Sequence, residues 1–401
     1  MIKAGLLGKD IKYSYSKIIH EAIDASYDII DVNEINEFFS KEFDYDFINV
    51  TKPYKKEVIK YLDYLDSISK EIGACNLIIK KNNHLYGYNT DYYGFIRFLE
   101  NNNIDFEGKR VCVLGSGGAS QMIQKVALDK NAKRLYVVSR EEYLYLDNYI
   151  TYDEIGKYEY DILINATPVG TSPNYLDLLI DFDKIRIAKG GIVIDLIYNP
   201  LRTKLLIEAN NHGFYAYNGL EMLIYQALYS YYLFDDKYKD LINDDELFEK
   251  LYSMVGFKNY VIIGMPYAGK TTLGKRLSEE EGKELFDIDE IIESRYGTIT
   301  SIFKKNGEEY FRKIEKEVIK EIALKNNCII VPGAGAILDY ENYVNLKANG
   351  YFIFIDTDFS ELLKRKENDD SRPLVKNNAD LKKLYNLRHD IYLKYCDEVR
   401  K

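Results

Sequence analysis

The amino-acid sequence predicts an α/β protein with two different phosphate-binding regions, each built on a parallel sheet. Two segments share one local order: a short apolar strand, a glycine-containing turn and a stretch suited to a helix. The first begins at Arg110 and the second at Tyr260. Further strand-length apolar runs surround the two turns, at 135–139, 161–165 and 191–196 and at 328–332 and 351–356. Because helix-length stretches separate these runs, we expect parallel strands joined by helices. The length of 401 residues suits two or three domains.

The composition is typical of a globular protein and argues against some classes of partner. The formal net charge is -10, whereas binding to nucleic acid requires clustered Lys and Arg. No apolar run approaches the roughly 18 residues of a membrane span, and the N-terminus lacks a secretory signal. The four cysteines are scattered and form no metal-binding pattern. We therefore expect a reducing, cytoplasmic location, with neither a nucleic acid nor a membrane as partner. The oligomeric state stays open.

The first glycine turn predicts a dinucleotide-binding Rossmann region. It follows the strand that begins at Arg110, and its backbone amides would face an anion at the start of a helix. A second predicted strand ends at Ser139-Arg140, and an Arg in this place suits the 2′-phosphate of NADP(H). Glu141 and Glu142 follow directly, so NAD(H) is the alternative cofactor, and a purely structural turn is the other alternative. The candidate cofactor contacts here are Gly115, Ser116, Gly117, Gly118, Ala119, Ser139 and Arg140.

The second glycine turn fits the complete P-loop pattern G-x-x-x-x-G-K-[ST] directly after an apolar strand. In such a loop the backbone amides cradle phosphates, Lys270 reaches the β and γ oxygens, and the Thr271 hydroxyl binds magnesium. The pattern therefore predicts ATP and Mg²⁺ but leaves the phosphoryl acceptor open. The candidate nucleotide contacts are Gly264, Ala268, Gly269, Lys270, Thr271 and Thr272.

Polar clusters in the first 250 or so residues resemble the shikimate dehydrogenase family. Taken singly they have ordinary structural interpretations, such as helix caps or a solvated lysine. Together they follow the order of the family, at 14–16, 49–55, 73–76, 89–91, 165–170, 195–200 and 218–226. The resemblance implies that Lys55 is the acid/base and Asp91 its partner when NADPH reduces 3-dehydroshikimate. It implies substrate contacts at Ser14, Ser16, Thr51, Asn76, Asp91, Tyr198 and Gln226, and further cofactor contacts at Thr167, Leu196, Gly219 and Met222.

The residues after the P-loop resemble the shikimate kinase family, in order and spacing. The matching segments are 287–289, 311–312, 333–335, 372–374 and 388–392. The resemblance implies that Asp289 orients the substrate hydroxyls and that Asp287 lies near magnesium. It also implies that Arg312 and Arg388 bind the substrate carboxylate as charged forks, with the backbone amide of Ala334 beside the substrate. Arg372 would close over the phosphoryl group on a lid at residues 363–378.

The two resemblances predict the domain organisation and a bifunctional enzyme. Residues 1–92 would form a dehydrogenase substrate domain completed by about 219–250, residues 93–218 the Rossmann domain, and residues 257–401 a nucleoside-monophosphate-kinase-like P-loop domain. The alternative is an active dehydrogenase whose C-terminal region binds ATP without phosphorylating. Two features motivate it: Ala334 interrupts the glycine triplet of the family, and the sequence stops before most of the family's final strand and helix. From the second feature we expect weaker ATP binding or reduced stability of this domain. The third hypothesis is that the C-terminal region is a kinase for a different small metabolite, such as a gluconate-type enzyme.

Overall fold

The chain folds into two compact units in a computed structural model that describes residues 2–12, 14–140, 147–367, 375 and 377–401. The first unit comprises Met1–Val169, Leu178–Tyr198 and Leu205–Gly256. The second comprises Gly170–Asp177, Asn199–Lys204 and Phe257–Lys401. Each unit has its own buried apolar core and its own parallel or mixed sheet.

The first sheet of the first unit has six strands in the order β2-β1-β3-β5-β6-β4. These strands are β1 (Ile2–Gly8), β2 (Ala25–Asp31), β3 (Phe47–Val50), β4 (Tyr64–Leu65), β5 (Leu77–Lys81) and β6 (His84–Tyr88). Strand β1 is parallel to β2 and β3, while β5 is antiparallel to β3 and β6. The accompanying helices are α1 (Ser16–Ile23), α2 (Asn36–Phe39), α3 (Ser67–Ile72) and a short 3₁₀ helix, Glu57–Tyr61. All four residues of β3 are buried, so the position at which the following loop begins is fixed by the core.

The second sheet of the first unit is a six-stranded Rossmann sheet. Its strands are β7 (Arg110–Leu114), β8 (Arg134–Val138), β9 (Tyr149–Ile150), β10 (Glu159–Asn165), β11 (Arg186–Asp195) and β12 (Tyr215–Tyr217). All are parallel, in the order β12-β11-β10-β7-β8-β9. Counted from β7, this is the Rossmann order 3-2-1-4-5-6, and the order reverses between β7 and β10. The predicted α/β class is confirmed, and ligands of such sheets bind at the carboxyl ends of the strands beside this reversal.

Helices connect the two sheets and bring distant segments together. They are α4 (Thr90–Asn101), α5 (Gly118–Asp129), α6 (Lys204–Asn211), α7 (Leu220–Phe234) and α8 (Asp245–Val255), with 3₁₀ helices at Ile155–Lys157 and Asp236–Asn243. Helices α4 and α7 are in close contact at Gly94, where a Cβ atom would lie 2.8 Å from the backbone nitrogen of Gln226. Only glycine permits this approach, and it places the start of α4 beside the middle of α7.

The second unit is built on a five-stranded parallel sheet in the order β14-β15-β13-β16-β17. Its strands are β13 (Asn259–Gly264), β14 (Glu284–Asp287), β15 (Cys328–Val331), β16 (Gly350–Ile355) and β17 (Glu398–Arg400). Its helices are α9 (Lys270–Glu281), α10 (Ile288–Tyr296), α11 (Ile299–Ile322), α12 (Tyr340–Asn349), α13 (Phe359–Lys366) and α14 (Asn378–Tyr395), with a 3₁₀ helix at Ala336–Leu338. Apolar side chains of β13, β15, β16 and α9 form its core, so the phosphate loop after β13 rests on a rigid base.

The sequence predicted that most of the family's final strand and helix would be missing. The strand is present as β17 and pairs with β16. The backbone N–H of Asp397 donates to the Phe352 carbonyl oxygen at 2.9 Å, and that of Asp356 donates to the Arg400 carbonyl oxygen at 2.8 Å. The Asp397 carboxylate also accepts from the Lys347 ammonium at 2.8 Å. These contacts fix the strand in the sheet.

No helix of the described ranges is long and apolar enough to cross a membrane.

Candidate active sites

The centre of the first site is an ion pair between Lys55 and Asp91. The Lys55 Nζ atom lies 2.6 Å from Asp91 Oδ2, and the two side chains are 24% and 14% exposed. Lys55 lies in the loop after β3, where the buried Tyr54 and a hydrogen bond from the Cys75 N–H to the Lys55 carbonyl oxygen fix the backbone. Asp91 lies in the first turn of α4, where the helix dipole favours a carboxylate. A short, partly buried ammonium–carboxylate pair can hold a proton and transfer it to a bound molecule.

The neutral polar candidates of the first site come from α4, from α7 and from the segments after β3 and before β5. Asn76 Nδ2 donates to Thr90 Oγ1 at 3.0 Å, and Asn76 Oδ1 accepts from the Thr90 N–H at 2.6 Å and lies 3.2 Å from the Thr90 hydroxyl oxygen. The Thr90 hydroxyl also lies 3.4 Å from Gln226 Oε1. Thr51, half-buried after β3, is fixed by a backbone hydrogen bond to Leu7. Sequence reasoning did not single out Thr90, although it lies inside the 89–91 cluster and its hydroxyl joins Asn76 to Gln226.

A hydroxyl cluster lies at the start of α1. The Ser14 hydroxyl donates to Ser16 Oγ at 3.0 Å and accepts from the Ser16 backbone N–H at 3.2 Å. The Tyr198 hydroxyl is hydrogen-bonded to Ser14, and its ring lies 5.5 Å from that of Tyr15. Burial raises the pKa of Tyr198 and the negative charge of Asp91 raises it further, against the opposing effect of the Ser14 hydrogen bond. Tyr198 is therefore a neutral hydroxyl at neutral pH, and the cluster offers uncharged donors to an anionic ligand.

The first glycine turn forms an open cradle at the N-terminus of α5. Gly115 has a φ of +102°, and a Cβ atom there would lie 2.8 Å from the Thr167 methyl group, so glycine is required. At Gly117 and Gly118 no heavy atom lies within 4 Å of a Cβ position. This space beside free amides and the positive end of α5 fits a dinucleotide pyrophosphate. Ala119 lies half-buried in the first turn of the same helix.

The end of β8 lies next to this cradle. The Ser139 and Ser116 hydroxyl oxygens are 3.3 Å apart, which brings the two turns together. Arg140 is exposed directly after Ser139, where its guanidinium is accessible to a 2′-phosphate. Glu141 and Glu142, which left NAD(H) open, lie outside the described residues.

The predicted nicotinamide-side residues lie at the ends of β10 and β11 and the start of α7. The Thr167 hydroxyl donates to Asn165 Oδ1 at 2.7 Å, and Asn165 Nδ2 donates to Asp195 Oδ1 at 3.0 Å. A Cβ atom at Gly219 would lie 2.1 Å from the Leu196 carbonyl oxygen, so this crossing requires glycine. Met222 follows one turn later with 9% of its surface exposed. Sequence reasoning quoted Asn165 and Asp195 within motifs but missed their direct bond, which holds the two strand ends together.

The P-loop of the second unit lies along a cavity of about 850 Å³. Lys270 is buried, with 9% of its surface exposed, and its ammonium donates to the carbonyl oxygens of Gly264 and Met265, both at 3.2 Å. The Thr271 hydroxyl donates to Asp287 Oδ2 at 2.7 Å. A hydroxyl and a carboxylate oxygen this close together are the hard ligands that Mg²⁺ prefers, so these residues fit the predicted metal. The cavity wall also includes Ala268, Gly269, Thr272 and Asp289.

A second, smaller cavity of about 70 Å³ adjoins the first through Asp289, which lines both. Arg312, Ala334 and Arg388 also line it. Arg388 is only 6% exposed, and the Tyr392 hydroxyl one turn later donates to the Ala334 carbonyl oxygen. A lining with two arginines and an aspartate suits a small molecule that carries an acid and hydroxyl groups.

Sequence reasoning did not identify the buried partner of Arg312. Glu315, 1% exposed, accepts from Arg312 Nη1 through Oε2 at 2.7 Å. Burial raises the pKa of Glu315, and the charge of Arg312 opposes that rise. Close packing fixes the pair, because a Cβ atom at Gly333 would lie 2.8 Å from Glu315 Oε1 and one at Gly335 would lie 2.9 Å from Arg312 Nη2. The spacing of three residues on one helix was the available signal.

Arg372, the predicted lid residue, lies outside the described residues, as does half of the predicted lid. The first part of that segment, up to Lys366, forms the end of α13.

Comparisons with known proteins identify two families in the chain. Residues 6–78 match the family model "Shikimate dehydrogenase substrate binding domain", and residues 266–401 match the model "Shikimate kinase". An NADP⁺-dependent shikimate dehydrogenase of Clostridium beijerinckii is 36% identical over 270 residues, which cover 62% of this chain and 96% of the relative. A related enzyme of Methanococcus maripaludis is 34% identical over 260 residues, covering 59% and 92%.

Solved structures give the same result. Shikimate dehydrogenase 1 from Peptoclostridium difficile is 33% identical, with a TM-score of 0.55 over 63% of this chain and 99% of that chain. A chorismate mutase/shikimate 5-dehydrogenase fusion protein from Clostridium acetobutylicum is 32% identical, with a TM-score of 0.58 over 64% and 98%. Both resemblances noted in the sequence are confirmed. The chain therefore belongs to the shikimate dehydrogenase family and carries, at residues 266–401, a shikimate kinase domain.

Proposed function

We propose that this chain catalyses two consecutive reactions on one carboxylated ring. The first is NADPH-dependent reduction of 3-dehydroshikimate to shikimate, and the second is ATP-dependent phosphorylation of shikimate to shikimate 3-phosphate. The observation that carries the proposal is the presence in one chain of two complete polar sites. One is the Lys55–Asp91 pair in the unit that holds the dinucleotide cradle, and the other is a P-loop that adjoins an arginine-lined cavity.

In the first reaction Lys55 is the proton donor. Bound NADPH supplies the hydride to the ketone carbon of the substrate. As negative charge develops on the ketone oxygen, the Lys55 ammonium gives it a proton, and in the reverse direction the neutral amine accepts that proton. Asp91, at 2.6 Å from the ammonium, holds it in place. Ser14, Ser16 and Tyr198 bind the carboxylate, whereas Thr51, Asn76 and Gln226 bind the ring oxygens.

In the second reaction the P-loop positions the phosphoryl donor. The backbone N–H groups between Gly264 and Thr271, except at Pro266, which has none, surround the phosphates, and Lys270 exchanges its two carbonyl partners for phosphate oxygens. Thr271 and Asp287 hold Mg²⁺, which neutralises the charge on the transferring group when it is bound.

The smaller cavity binds the phosphoryl acceptor. Asp289 orients the attacking hydroxyl, and it is well placed because it lines both cavities. Arg312 and Arg388 bind the ring carboxylate as planar forks, with the Ala334 amide beside the ring. The buried Glu315 holds the Arg312 fork in its plane. The side chains of Lys270, Asp289, Arg312 and Arg388 favour phosphorylation over the alternative of ATP binding alone.

The proposal extends to the domain division and the surroundings of the enzyme. Residues 1–92 with 219–250 form the substrate domain, residues 93–218 the Rossmann domain, and residues 257–401 the kinase domain. Four free cysteines support a reducing, cytoplasmic location, and the net charge of -10 supports small-molecule substrates rather than nucleic acid.

Two lysine substitutions test whether the sites act independently. We expect Lys55→Ala to lower the rate of shikimate oxidation about 10²- to 10⁴-fold, the usual contribution of a positioned acid/base, and to leave shikimate-dependent ADP release unchanged. Lys270→Ala should do the reverse. The exposed neighbours Lys56 and Lys275 provide matched controls, and Lys56→Ala and Lys275→Ala should retain both activities. Loss of both activities in a folded Lys55→Ala or Lys270→Ala protein contradicts two independent sites.

Shikimate-dependent ADP release by the unaltered chain separates the alternatives. ATP binding without release supports the non-phosphorylating module, and release with gluconate but not shikimate supports another metabolite kinase.

A further inference from the structure

The phosphate loop of the second unit holds an aromatic residue in the left-handed backbone region. Tyr267, the third of the four residues between Gly264 and Gly269, has a φ of +69°. In this region the Cβ atom of an L-residue crowds a carbonyl oxygen, so glycine is preferred and asparagine or aspartate is tolerated. The other described non-glycine residues with positive φ follow this rule, since all are asparagine or aspartate: Asp10, Asn82, Asn83, Asn103, Asn131 and Asn327. Tyr267 alone among them is bulky.

Contacts to the carbonyl oxygens of Tyr267 and of the following residue hold this conformation. Arg365 donates from Nη1 to the Tyr267 carbonyl oxygen at 3.1 Å, and Glu361 holds the same guanidinium at 3.2 Å. The Thr357 hydroxyl donates to the Ala268 carbonyl oxygen at 3.2 Å. The loop is thus fixed from outside, which is the condition for an unfavourable φ to persist. Residues held in this way are concentrated at ligand-binding sites.

The position of Tyr267 connects the unfavourable backbone to the nucleotide site. Tyr267 is half-buried and lines the cavity of about 850 Å³ together with Lys270 and Thr271. A tyrosine side chain offers a rigid apolar ring and a hydroxyl that can donate to a phosphate oxygen. Within a loop that surrounds the phosphates, it lies at the triphosphate end of the nucleotide.

We propose that the side chain of Tyr267 is a contact residue for the triphosphate of the phosphoryl donor and tightens its binding. This inference rests on the proposed kinase function. Glycine or asparagine at this position would relieve the backbone but would remove the contact. Binding of the donor therefore depends on a side chain that the loop conformation disfavours.

Three substitutions in the full-length chain separate the backbone from the side chain. Tyr267→Gly and Tyr267→Asn suit the left-handed backbone and lack the ring, whereas Tyr267→Phe keeps the ring and lacks the hydroxyl. Tyr310→Asn, at an exposed tyrosine of α11, is the matched control. The dissociation constant for ATP with Mg²⁺ is measured by titration calorimetry, and thermal unfolding checks that each variant is folded. Dehydrogenase activity in the same samples gives the concentration of intact chain.

We expect the dissociation constant for ATP to rise about tenfold in Tyr267→Gly and Tyr267→Asn, which corresponds to a loss of about 1.4 kcal/mol of binding free energy. In Tyr310→Asn the dissociation constant should be unchanged. A value near that of the parent in Tyr267→Phe assigns the contact to the ring, and a tenfold rise assigns it to the hydroxyl; both support the proposal. ATP binding as tight as in the parent, or tighter, in the glycine and asparagine variants overturns it. A parent chain that does not bind ATP contradicts the proposed kinase function itself.

Discussion

A buried histidine predicts that the stability of the first unit depends on pH. The His20 imidazole is 0% exposed and is stacked on the Tyr27 ring, with ring centres 4.3 Å apart. The Tyr231 hydroxyl donates its only hydrogen to the His20 carbonyl oxygen at 3.0 Å. The His20 Nδ1 atom lies 3.2 Å from the Tyr231 hydroxyl oxygen, so Nδ1 carries the hydrogen and is the donor in this second contact. The Nε2 atom then keeps a bare lone pair, with no hydrogen-bond partner in the part of the chain that the structure describes. Protonation would bury an unpaired charge, and burial accordingly lowers the pKa of His20 to about 3.

The magnitude follows from the two pKa values. Histidine in the unfolded chain has a pKa of about 6.5, so between about pH 6.5 and about pH 3 the unfolded state binds a proton that the folded state does not. A lowered folded-state pKa means that stability is complete above pH 6.5 and is lost as the pH falls. Each pH unit in this interval lowers the free energy of unfolding by about 1.4 kcal/mol. Acidification from about pH 7 to about pH 4.5 therefore removes about 2.5 kcal/mol through His20.

Urea unfolding followed by circular dichroism at these two pH values measures this loss. The substitution His20→Phe keeps an aromatic ring against Tyr27 and removes the titrating nitrogen, so the variant should lose about 2.5 kcal/mol less than the parent on acidification. His84, with a side chain that is 52% exposed, provides the control, and His84→Gln should follow the parent. Equal losses in the parent and in His20→Phe would refute the assignment of the neutral imidazole to the core.

Four other substitutions test the sites themselves. Asp91→Asn should lower kcat for shikimate oxidation about a hundredfold with an unchanged KM for NADP⁺, because the ammonium loses its carboxylate; an unchanged kcat contradicts the paired role. Gly219→Ala should destabilise the first unit by about 1–3 kcal/mol in urea unfolding, since its methyl group would lie 2.1 Å from the Leu196 carbonyl oxygen. Gly117→Ala, where the space is open, should keep its stability but raise KM for NADPH, and the opposite pattern contradicts the placement of the cradle. Arg312→Lys should raise KM for shikimate in the kinase reaction about 10- to 100-fold without affecting dehydrogenation, whereas an unchanged KM contradicts the carboxylate fork.

The features that local chemistry dictates were predictable from the sequence. Both glycine turns lie where they were predicted, after β7 and after β13, because glycine spacing and a preceding apolar strand are sufficient to define such turns. The Lys55–Asp91 pair was predictable only through the family resemblance. The two residues are 36 positions apart, and no local pattern of the chain relates them.

Sequence reasoning missed features that depend on tertiary packing, or predicted them too short. Strand β11 begins at Arg186, five residues before the apolar run at 191–196 that predicted it, because its polar first half pairs with β10 across a register shift. In the sequence, nothing distinguishes Glu315 from an ordinary surface glutamate. It becomes the partner of Arg312 only because the fold buries it against Gly333. The left-handed backbone of Tyr267 was equally hidden, because a tyrosine in a loop gives no indication of its φ.

The central claim is that one chain reduces the ring and then phosphorylates it. A single assay tests it directly: 3-dehydroshikimate, NADPH, ATP and Mg²⁺ are supplied to the purified full-length protein, and the products are followed by mass spectrometry. We predict that shikimate forms first as NADPH is consumed, and that shikimate 3-phosphate then forms together with ADP. Shikimate that accumulates without its phosphate, or no consumption of NADPH by the folded protein, would contradict the account.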